Sequence, residues 1–419
     1  MTGFFSILFF ESGWDVRSFL DYGLSALKHR GGSLNLVCWR QNDRVACEKY
    51  ENSEPQNLSH SGVALATRVD SRKVSEQVVS RDRLALVFDR PSKYSDEVAD
   101  IVEKAFTSTK PYEDLAKHLS VFRDVDIPTF TAISPREEVV VWRSNTGLTP
   151  LAIGGYGFDM VVASTESSVI EVLDADIRKH LLPGEGLYLT RKRVKLFNSE
   201  PSSKCRLCLF ELLYTARHDS IVDGVCAYEF RKKLGEKLGK YLESRVDVVI
   251  GVPETALPYA VGLSHSTGTP LEFGFVNTAR EARSMLREGV RDKLIAVHLK
   301  LNPIRRVFEG KSVAIVDDSM VTGSTLKTVA QLLRYRIGVR ELHVFIASPK
   351  LVDTCPYDVV ALDPGTLISA YLDDSSIEKY LDVDSLHWLR DEDIDSVADF
   401  FRVRLCATCF GRDAVGESR

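Results

Sequence analysis

The segment from residue 313 to 325 combines residue types that suit a phosphate ligand. An apolar run leads into Asp317 and Asp318, and a turn rich in hydroxyl groups follows before a helical pattern begins. Strand ends of open parallel sheets commonly bind ligands, and the positive end of a helix favours a phosphate. The turn residues that could contact such an anion are Ser319, Thr322, Gly323, Ser324 and Thr325.

The two carboxylates need a different role, because they repel an anion. Asp317 and Asp318 could bind ribose hydroxyls or a divalent metal that carries a pyrophosphate. The alternative is a pair of solvated aspartates at a strand end, followed by an ordinary capped helix. The order of strand, acid pair and hydroxyl-rich turn favours the ligand site.

Two Cys-x-x-Cys pairs, Cys205 with Cys208 and Cys406 with Cys409, have the spacing that lets both sulfurs reach one metal. They suggest zinc, although ribbon-type zinc sites place their pairs much closer in sequence. Unrelated buried cysteines are a further alternative. Of the four cysteines outside these pairs, we expect three to be unpaired, buried, small apolar residues: Cys38, Cys47 and Cys226.

The composition excludes several classes of protein. The 419 residues are 44% apolar and 27% charged, with a net charge of −5, which is typical of a globular chain of two or three domains. There is no basic excess to indicate a nucleic-acid partner and no apolar run of about 18 residues to indicate a membrane span. Residues 4–10 read as a buried strand rather than a signal peptide, so we expect a cytoplasmic protein without a disulfide framework.

Residues 1–200 are predicted to form a layered, largely antiparallel domain with one early helix. The helical pattern covers 16–29 and ends at a pair of glycines. Strand-like runs separated by turn residues follow at 62–68, 83–88, 138–143, 148–153, 160–164 and 186–190.

Residues 201–410 are predicted to form an α/β domain, and 411–419 a frayed tail. Buried strands that alternate with helices indicate a doubly wound parallel sheet. The strand-like runs are at 246–253, 312–316, 342–348 and 357–362. The helical patterns are at 228–244, 256–266 and 324–336.

Several segments besides 317–325 resemble the amidophosphoribosyltransferases, the glutamine amidotransferases of purine synthesis that use 5-phosphoribosyl-1-pyrophosphate (PRPP). They are YGLSALKHRG from residue 22, RSNTGLTPL from 143, CLFELLYTARHDS from 208, VIGVPET from 249 and KLNP from 300. The resemblance covers nearly the whole chain. It implies an N-terminal glutaminase-like domain of the Ntn-hydrolase type, followed by a type I phosphoribosyltransferase domain.

By this resemblance, the second domain would transfer the phosphoribosyl group of PRPP to ammonia and form 5-phosphoribosylamine. Asp317, Asp318 and Thr255 would surround Mg²⁺ and the pyrophosphate, and residues 319–325 would hold the 5-phosphate. Lys300 would lie near a flexible loop over the site. In that loop, NTAR at 277–280 replaces the family's Asn-Arg-Tyr, so a tyrosine that helps to cover PRPP is missing.

The glutaminase half departs from the family at its nucleophile. The family's mature chain begins with Cys-Gly, whereas Thr2 stands before Gly3 here, and Thr2 would be the tentative nucleophile after removal of Met1. Arg68 matches the arginine that binds the glutamine carboxylate. Around Asp89 the family's Asn-Gly pair is replaced, and a carboxylate there repels a developing oxyanion. We therefore expect a degenerate glutaminase site, with a threonine-dependent amidohydrolase as the alternative.

The resemblance also assigns four cysteines to a structural [4Fe–4S] cluster that one branch of the family contains. Zinc is the alternative metal. His29 repeats a family position, and we expect it to be packed and hydrogen bonded rather than catalytic. The cluster ligands would be Cys208, Cys355, Cys406 and Cys409.

These features of the sequence are compatible with two functions of different classes. As an enzyme, the chain would make phosphoribosylamine with free ammonia or ammonia from a separate glutaminase, rather than from glutamine, and would be a homo-oligomer like its family. As a binding protein, it would hold PRPP or nucleotides without turnover and regulate an active amidotransferase. The acid pair and the hydroxyl-rich turn favour the enzyme, whereas the altered covering loop favours the binding protein.

Overall fold

The computed structural model describes residues 2–11, 13–51, 55, 57–123, 125–201, 206–276, 301–360 and 362–415. The chain folds into two compact units. Unit 1 comprises Met1–Glu211, Thr215–Gly224 and Pro356–Ala361. Unit 2 comprises Leu212–Tyr214, Val225–Cys355 and Leu362–Arg419.

The strands of unit 1 are β1 (Gly3–Phe9), β2 (Leu34–Gln41), β3 (Arg44–Tyr50), β4 (Val63–Val69), β5 (Val78–Arg81), β6 (Leu84–Phe88), β7 (Phe130–Ile133), β8 (Val139–Trp142), β9 (Ala152–Tyr156), β10 (Met160–Ser164), β11 (Asp176–His180), β12 (Glu185–Thr190), β13 (Arg193–Asn198), β14 (Leu207–Cys208) and β15 (Ile221–Val222). Its helices are α1 (Arg17–Ala26), α2 (Val74–Gln77), α3 (Ser95–Thr107), α4 (Pro111–Leu119) and α5 (Ser167–Val172).

Two antiparallel sheets lie at the centre of unit 1, with strand orders β11-β9-β10-β1-β4-β2-β3 and β13-β12-β8-β7-β6-β5. Apolar side chains from both sheets, such as Phe4 and Val87, form a buried core between them. The outer face of the first sheet packs against α1 and α5, and that of the second packs against α3 and α4. This succession of helices, sheet, sheet and helices confirms the expected layered Ntn-hydrolase type.

Helix α1 illustrates how the sequence permits this packing. Its buried face carries Leu20 and Leu24, spaced by one helical turn. Between them, a Cβ atom on Gly23 would come within 2.4 Å of the Phe5 ring on β1. Only glycine therefore lets the helix approach the sheet this closely.

The prediction of a single helix in this half is wrong, because α3, α4 and α5 also form. Helix α3 buries Val98, Val102 and Phe106, which recur at helical spacing. The run at 148–153 is also only partly a strand, since β9 begins at Ala152. The hairpin of β2 and β3 has no counterpart in the predicted elements.

That hairpin corrects the expectation for two cysteines. Its antiparallel register places Cys38 opposite Cys47, with Cα atoms 4.1 Å apart, and the two residues form a disulfide. Such a distance matches directly opposed residues of an antiparallel pair. The expectation that both residues are unpaired is therefore wrong, whereas Cys226 is a free, partly buried thiol.

The strands of unit 2 are β16 (Val225–Cys226), β17 (Val248–Gly251), β18 (Phe275–Val276), β19 (Asn302–Pro303), β20 (Ser312–Asp317), β21 (Glu341–Ile346), β22 (Ser385–Trp388), β23 (Leu405–Ala407) and β24 (Arg412–Val415). Its helices are α6 (Ala227–Leu238), α7 (Leu257–Thr267), α8 (Arg305–Phe308), α9 (Ser324–Gln331), α10 (Ile368–Tyr371), α11 (Asp374–Leu381) and α12 (Asp391–Phe401). No helix within the described ranges of either unit has the length and apolar character needed to cross a membrane.

A parallel sheet of order β17-β20-β21-β22 is the centre of unit 2. One face, which carries Ile250 and Ile315, packs against α9 and α11. Because side chains alternate along a strand, Gly251 lies on the other face, where a Cβ atom would come 3.0 Å from Ala260 of α7. Helices thus cover both faces, which confirms the parallel α/β prediction.

Two details of unit 2 differ from the prediction. Residues 357–360 form a turn and belong to unit 1, and the fourth strand of the parallel sheet is β22 instead. Residues 412–415 form β24 antiparallel to β23, where the sequence analysis expects a frayed tail. Short apolar runs occur in turns as well as in strands, so the run at 357–362 was ambiguous.

Candidate active site

The acid pair lies at the carboxyl end of β20, at the edge where the parallel strands of unit 2 end. Asp317 closes the strand, and Asp318 follows with only 4% of its surface exposed. The backbone N–H of Asp318 donates to Asp317 Oδ1 at 3.0 Å. The hydroxyls of Thr255 and Ser319 donate to the two oxygens of Asp318, the latter at 2.7 Å. The structure therefore brings together the predicted residues Thr255, Asp317 and Asp318.

The turn after the acid pair presents hydroxyl groups to solvent. Thr322, Ser324 and Thr325 are exposed, and the first two hydroxyls lie 2.8 Å apart. Gly323, just before α9, has φ +68°. This left-handed conformation favours glycine, and a Cβ atom here would also come 3.3 Å from Met320 Sδ. The turn can thus direct hydroxyls and the amino end of α9 toward one anion.

The electrostatics of the pair suit a bound cation. Burial and the neighbouring Asp318 carboxylate raise the pKa of Asp317 well above its usual range. Burial also raises the pKa of Asp318, against the hydrogen bonds from Thr255 and Ser319. Mg²⁺ commonly uses one or two carboxylates together with substrate phosphates and water, so this small donor set fits it.

Two residues near the pair were not predicted as site residues. Burial, followed by the charges of Asp318 and Asp317, raises the pKa of Tyr214. The segment that carries Tyr214 is fixed by Tyr259, which donates to Leu213 O at 2.7 Å. The buried Arg231, whose Nε donates to the carbonyl of residue 212 at 2.8 Å, partly offsets the rise in the pKa of Asp318.

The remaining predicted residues of this site, Lys300 and the segment 277–280, lie outside the described residues.

The glutaminase-like residues of unit 1 are engaged in internal hydrogen bonds. Thr2 is 4% exposed, and the Nε2 amide of Gln77 donates to Thr2 Oγ1 at 3.0 Å. The backbone N–H of Thr2 donates to Asp89 O at 2.9 Å. Arg68 donates to Asn35 Oδ1 at 3.0 Å and to a backbone carbonyl. Thr2 and Asp89 are therefore brought together, as the resemblance implies.

Asp89 is a buried carboxylate whose negative charge is poorly compensated by the neighbouring groups. Its side chain is inaccessible, and neither oxygen makes a hydrogen bond of normal geometry in the described part of the chain. Arg90 Nε lies 3.8 Å away, but its guanidinium makes hydrogen bonds to Asp126, one of them at 2.7 Å. Burial raises the pKa of Asp89 to about 6, against the attraction of Arg90.

A separate ionic network in unit 1 includes the predicted His29. Its Nε2 lies 2.8 Å from Glu166, which also accepts hydrogen bonds from Arg30 and Ser220. Arg30 further donates to Glu211, and all the carboxylates and the guanidinium are buried. His29 is thus hydrogen bonded, as expected, but the residue is exposed rather than packed.

The cysteines assigned to a cluster divide between the units. Cys208 belongs to unit 1, whereas Cys355, Cys406 and Cys409 belong to unit 2. Burial raises the pKa of Cys409 to about 12, and the other two thiols of unit 2 add to this shift. Within the described residues, no group of three or more His, Cys, Asp or Glu side chains has the arrangement of a metal site. Cys205 lies outside them.

This chain resembles known proteins in both sequence and fold. Residues 227–352 match the phosphoribosyl transferase domain family. The amidophosphoribosyltransferase of Methanothermobacter thermautotrophicus is 31% identical over 277 residues, 66% of this chain and 58% of that protein. Its counterpart in Synechococcus elongatus is 30% identical over 276 residues, 64% and 55% of the two chains. The chain thus spans less than two thirds of these relatives' length.

Solved structures match along almost the whole chain. Glutamine PRPP amidotransferase from B. subtilis, complexed with ADP and GMP, has a TM-score of 0.80 and 24% identity over 98% of this chain and 97% of that one. A structure described as the allosteric regulatory enzyme of purine biosynthesis has a TM-score of 0.83 at 24% identity over 98% of this chain and 96% of that one. At this identity the likeness establishes the fold.

The pKa of Asp89 generates a stability prediction. Because it lies above the value of about 3.9 for an unfolded aspartate, ionisation of Asp89 opposes folding. The cost is absent at about pH 4 and reaches its full size as the pH rises above about 6. We expect Asp89→Asn to raise the free energy of unfolding by about 2 kcal/mol at about pH 7.5 and by almost nothing at about pH 4.

Urea unfolding at both pH values measures this difference. The control is Asp82→Asn, which changes an exposed aspartate of the same unit and should have little effect at either pH. An equal stabilisation of the Asp89 variant at both pH values would contradict the buried-charge explanation.

Proposed function

The chain belongs to the amidophosphoribosyltransferase family, and on this premise we propose that it forms 5-phosphoribosylamine from PRPP with ammonia as the nitrogen donor. In this reaction the ammonia nitrogen attacks C1 of the ribose, the bond from C1 to the pyrophosphate oxygen breaks, and pyrophosphate leaves. The nitrogen then loses a proton. The single observation that carries the proposal is the hydrogen-bonded acid pair directly before the exposed hydroxyl turn of unit 2.

Each part of the pair and turn has a role in the proposal. Mg²⁺ held near Asp317, Asp318 and Thr255 would supply positive charge that stabilises the departing pyrophosphate. The turn 319–325 would bind the 5-phosphate through hydroxyl and backbone N–H groups. We assign Lys300 to the loop over the site. Buried, like-charged carboxylates bind a divalent cation favourably because it removes their repulsion.

We further propose that the glutaminase site is degenerate. A working site needs N–H donors where the oxyanion forms, and loss of one donor typically costs about 10²–10³ in rate. Here Asp89 places a carboxylate in that region. The hydroxyl of Thr2, the tentative nucleophile, is hydrogen bonded to the side chain of Gln77. Arg68, which would bind the glutamine carboxylate, supports an ancestral site of this kind. Ammonia would then come from solution or from a separate glutaminase.

Pyrophosphate release from PRPP and Mg²⁺, with either ammonium chloride at high pH or glutamine, tests these proposals. We expect release with ammonium alone, and loss of at least about 10²-fold in Asp318→Asn. The matched control Asp399→Asn changes an exposed aspartate on α12 and should retain the rate. Release with glutamine would overturn the degenerate site. Release with neither, despite PRPP binding, would favour the non-catalytic regulatory paralogue.

The glycine of the phosphate turn offers a second test. Gly323 and Gly268 have nearly equal φ values, +68° and +70°, but a Cβ atom at Gly268 would meet no neighbour within 4 Å. Both alanine variants carry the backbone penalty of about 1 kcal/mol. Only Gly323→Ala should distort the turn, so we expect it to weaken PRPP binding at least about ten-fold while Gly268→Ala does not. Isothermal calorimetry with PRPP and Mg²⁺ measures this, and equal weakening would count against the turn as the phosphate site.

We also propose that Cys208, Cys355, Cys406 and Cys409 bind a structural [4Fe–4S] cluster, with Zn²⁺ as the alternative. Support comes from the resemblance and from the mutual influence of the three thiols in unit 2. Anaerobically purified protein should show a broad visible absorption band that Cys406→Ser removes. Protein with stoichiometric zinc and no visible band would reject the iron–sulfur assignment, because zinc thiolates do not absorb visible light.

We place the protein in the cytoplasm as a homo-oligomer, in keeping with its family.

A further inference from the structure

A cavity of about 220 Å³ opens on unit 1 beside the start of helix α1. None of its lining residues belongs to the sites described above. Aromatic side chains and two carboxylates form most of its wall. The lining residues are Phe9, Trp14, Phe19, Tyr156, Asp159, Met160, Leu173 and Asp174.

The aromatic rings form a cluster in which Phe9 is buried, Phe19 is partly buried, and Trp14 and Tyr156 are accessible. The rings of Phe9 and Trp14 are nearly parallel, at 7° with centroids 5.5 Å apart. The ring of Phe19 is tilted by 60° to both, with centroids 5.1 Å from Phe9 and 6.4 Å from Trp14. Trp14 is 40% exposed and Tyr156 is 46% exposed. Accessible ring faces carry negative charge density that attracts cations.

The charges of the lining have one sign only. Asp159 lies in the turn between β9 and β10, and Asp174 follows α5 with φ 58°. Across the described ranges, neither carboxylate takes part in an ion pair or a side-chain hydrogen bond. Among the residues that the structure describes, no lysine, arginine or histidine lines the cavity. The wall thus combines ring faces with two negative charges that the described residues leave uncompensated.

We propose that this cavity binds an organic ammonium group. The rings would contact the alkyl substituents and attract the positive charge, while Asp159 and Asp174 would supply long-range attraction. An anion would be repelled, and a hydrated metal ion would find mainly carbon surface. The chemistry fits a free alkylammonium compound, and a lysine side chain of a partner protein offers the same group.

Calorimetric titration of the full chain with choline and with its neutral isostere 3,3-dimethyl-1-butanol tests the proposal. We expect saturable choline binding at least about ten-fold tighter than that of the isostere. In Asp159→Asn/Asp174→Asn, choline binding should fall to the level of the isostere. Asparagine tolerates the positive φ at position 174.

Two controls separate binding from general effects. The variant Asp21→Asn/Asp176→Asn changes net charge equally at exposed positions outside the cavity lining and should bind choline normally. Trp14 is the most exposed tryptophan, since Trp39, Trp142 and Trp388 are buried, so choline should alter the fluorescence of the parent chain but not of Trp14→Phe.

The outcomes distinguish the sources of the ligand. Tighter binding of choline supports a free organic cation, whereas tighter binding of N-acetyl-lysine methylamide supports the same site with a partner's lysine. Equal binding of choline and the neutral isostere, or no saturable binding of any of the three compounds, overturns the proposal. Unchanged choline affinity in the double asparagine variant also overturns it.

Discussion

The repulsion between two carboxylates at the end of one strand is the constraint on which the arrangement of unit 2 depends. Asp317 and Asp318 are adjacent, and burial weakens the screening that water would give them. In the described part of the chain, side-chain hydroxyls donate to Asp318 alone, from Thr255 and Ser319, and they offset its burial only in part. Among the described residues, the carboxylate of Asp317 accepts a hydrogen bond only from the backbone N–H of Asp318, so the proposed divalent cation would stabilise the pair by removing the repulsion. Under the proposed function, such a site would favour a phosphate that arrives with its metal.

Unit 1 also contains two buried carboxylates close together, and a cationic side chain of the protein lies between them. Arg30 lies between the buried carboxylates of Glu166 and Glu211. Burial opposes the charge of Glu166, but Arg30 and His29 outweigh it and lower its pKa to about 2. Burial dominates at Glu211, whose pKa is raised despite Arg30. The positive charge of one guanidinium therefore compensates about one of the two negative charges. This network of buried charged groups needs no bound ligand.

The sequence predicted the parallel sheet, the acid pair and the hydroxyl turn because these are local patterns. Residues 312–325 determine a buried strand, a turn and a helix start within one short segment. By contrast, the contribution of Arg231 depends on a helix that is distant in sequence, and no spacing links it to Asp318. The disulfide was missed because the hairpin that aligns Cys38 with Cys47 was missed. Short runs such as 357–360 were misassigned because apolar character alone does not distinguish a strand from a turn.

The fold of unit 1 does not depend on its glutaminase-like residues. Three apolar cores hold its sheets, and buried cations such as Arg30 and Arg143 are hydrogen bonded to carboxylates. At Asp89, in contrast, Arg90 and the hydroxyl of Thr149 do not outweigh burial, so its ionised form costs stability at neutral pH. Under the proposal of a degenerate glutaminase site, this carboxylate would favour neither folding nor an oxyanion. Retention of the layered fold is therefore compatible with loss of the chemistry, because separate sets of residues determine the two.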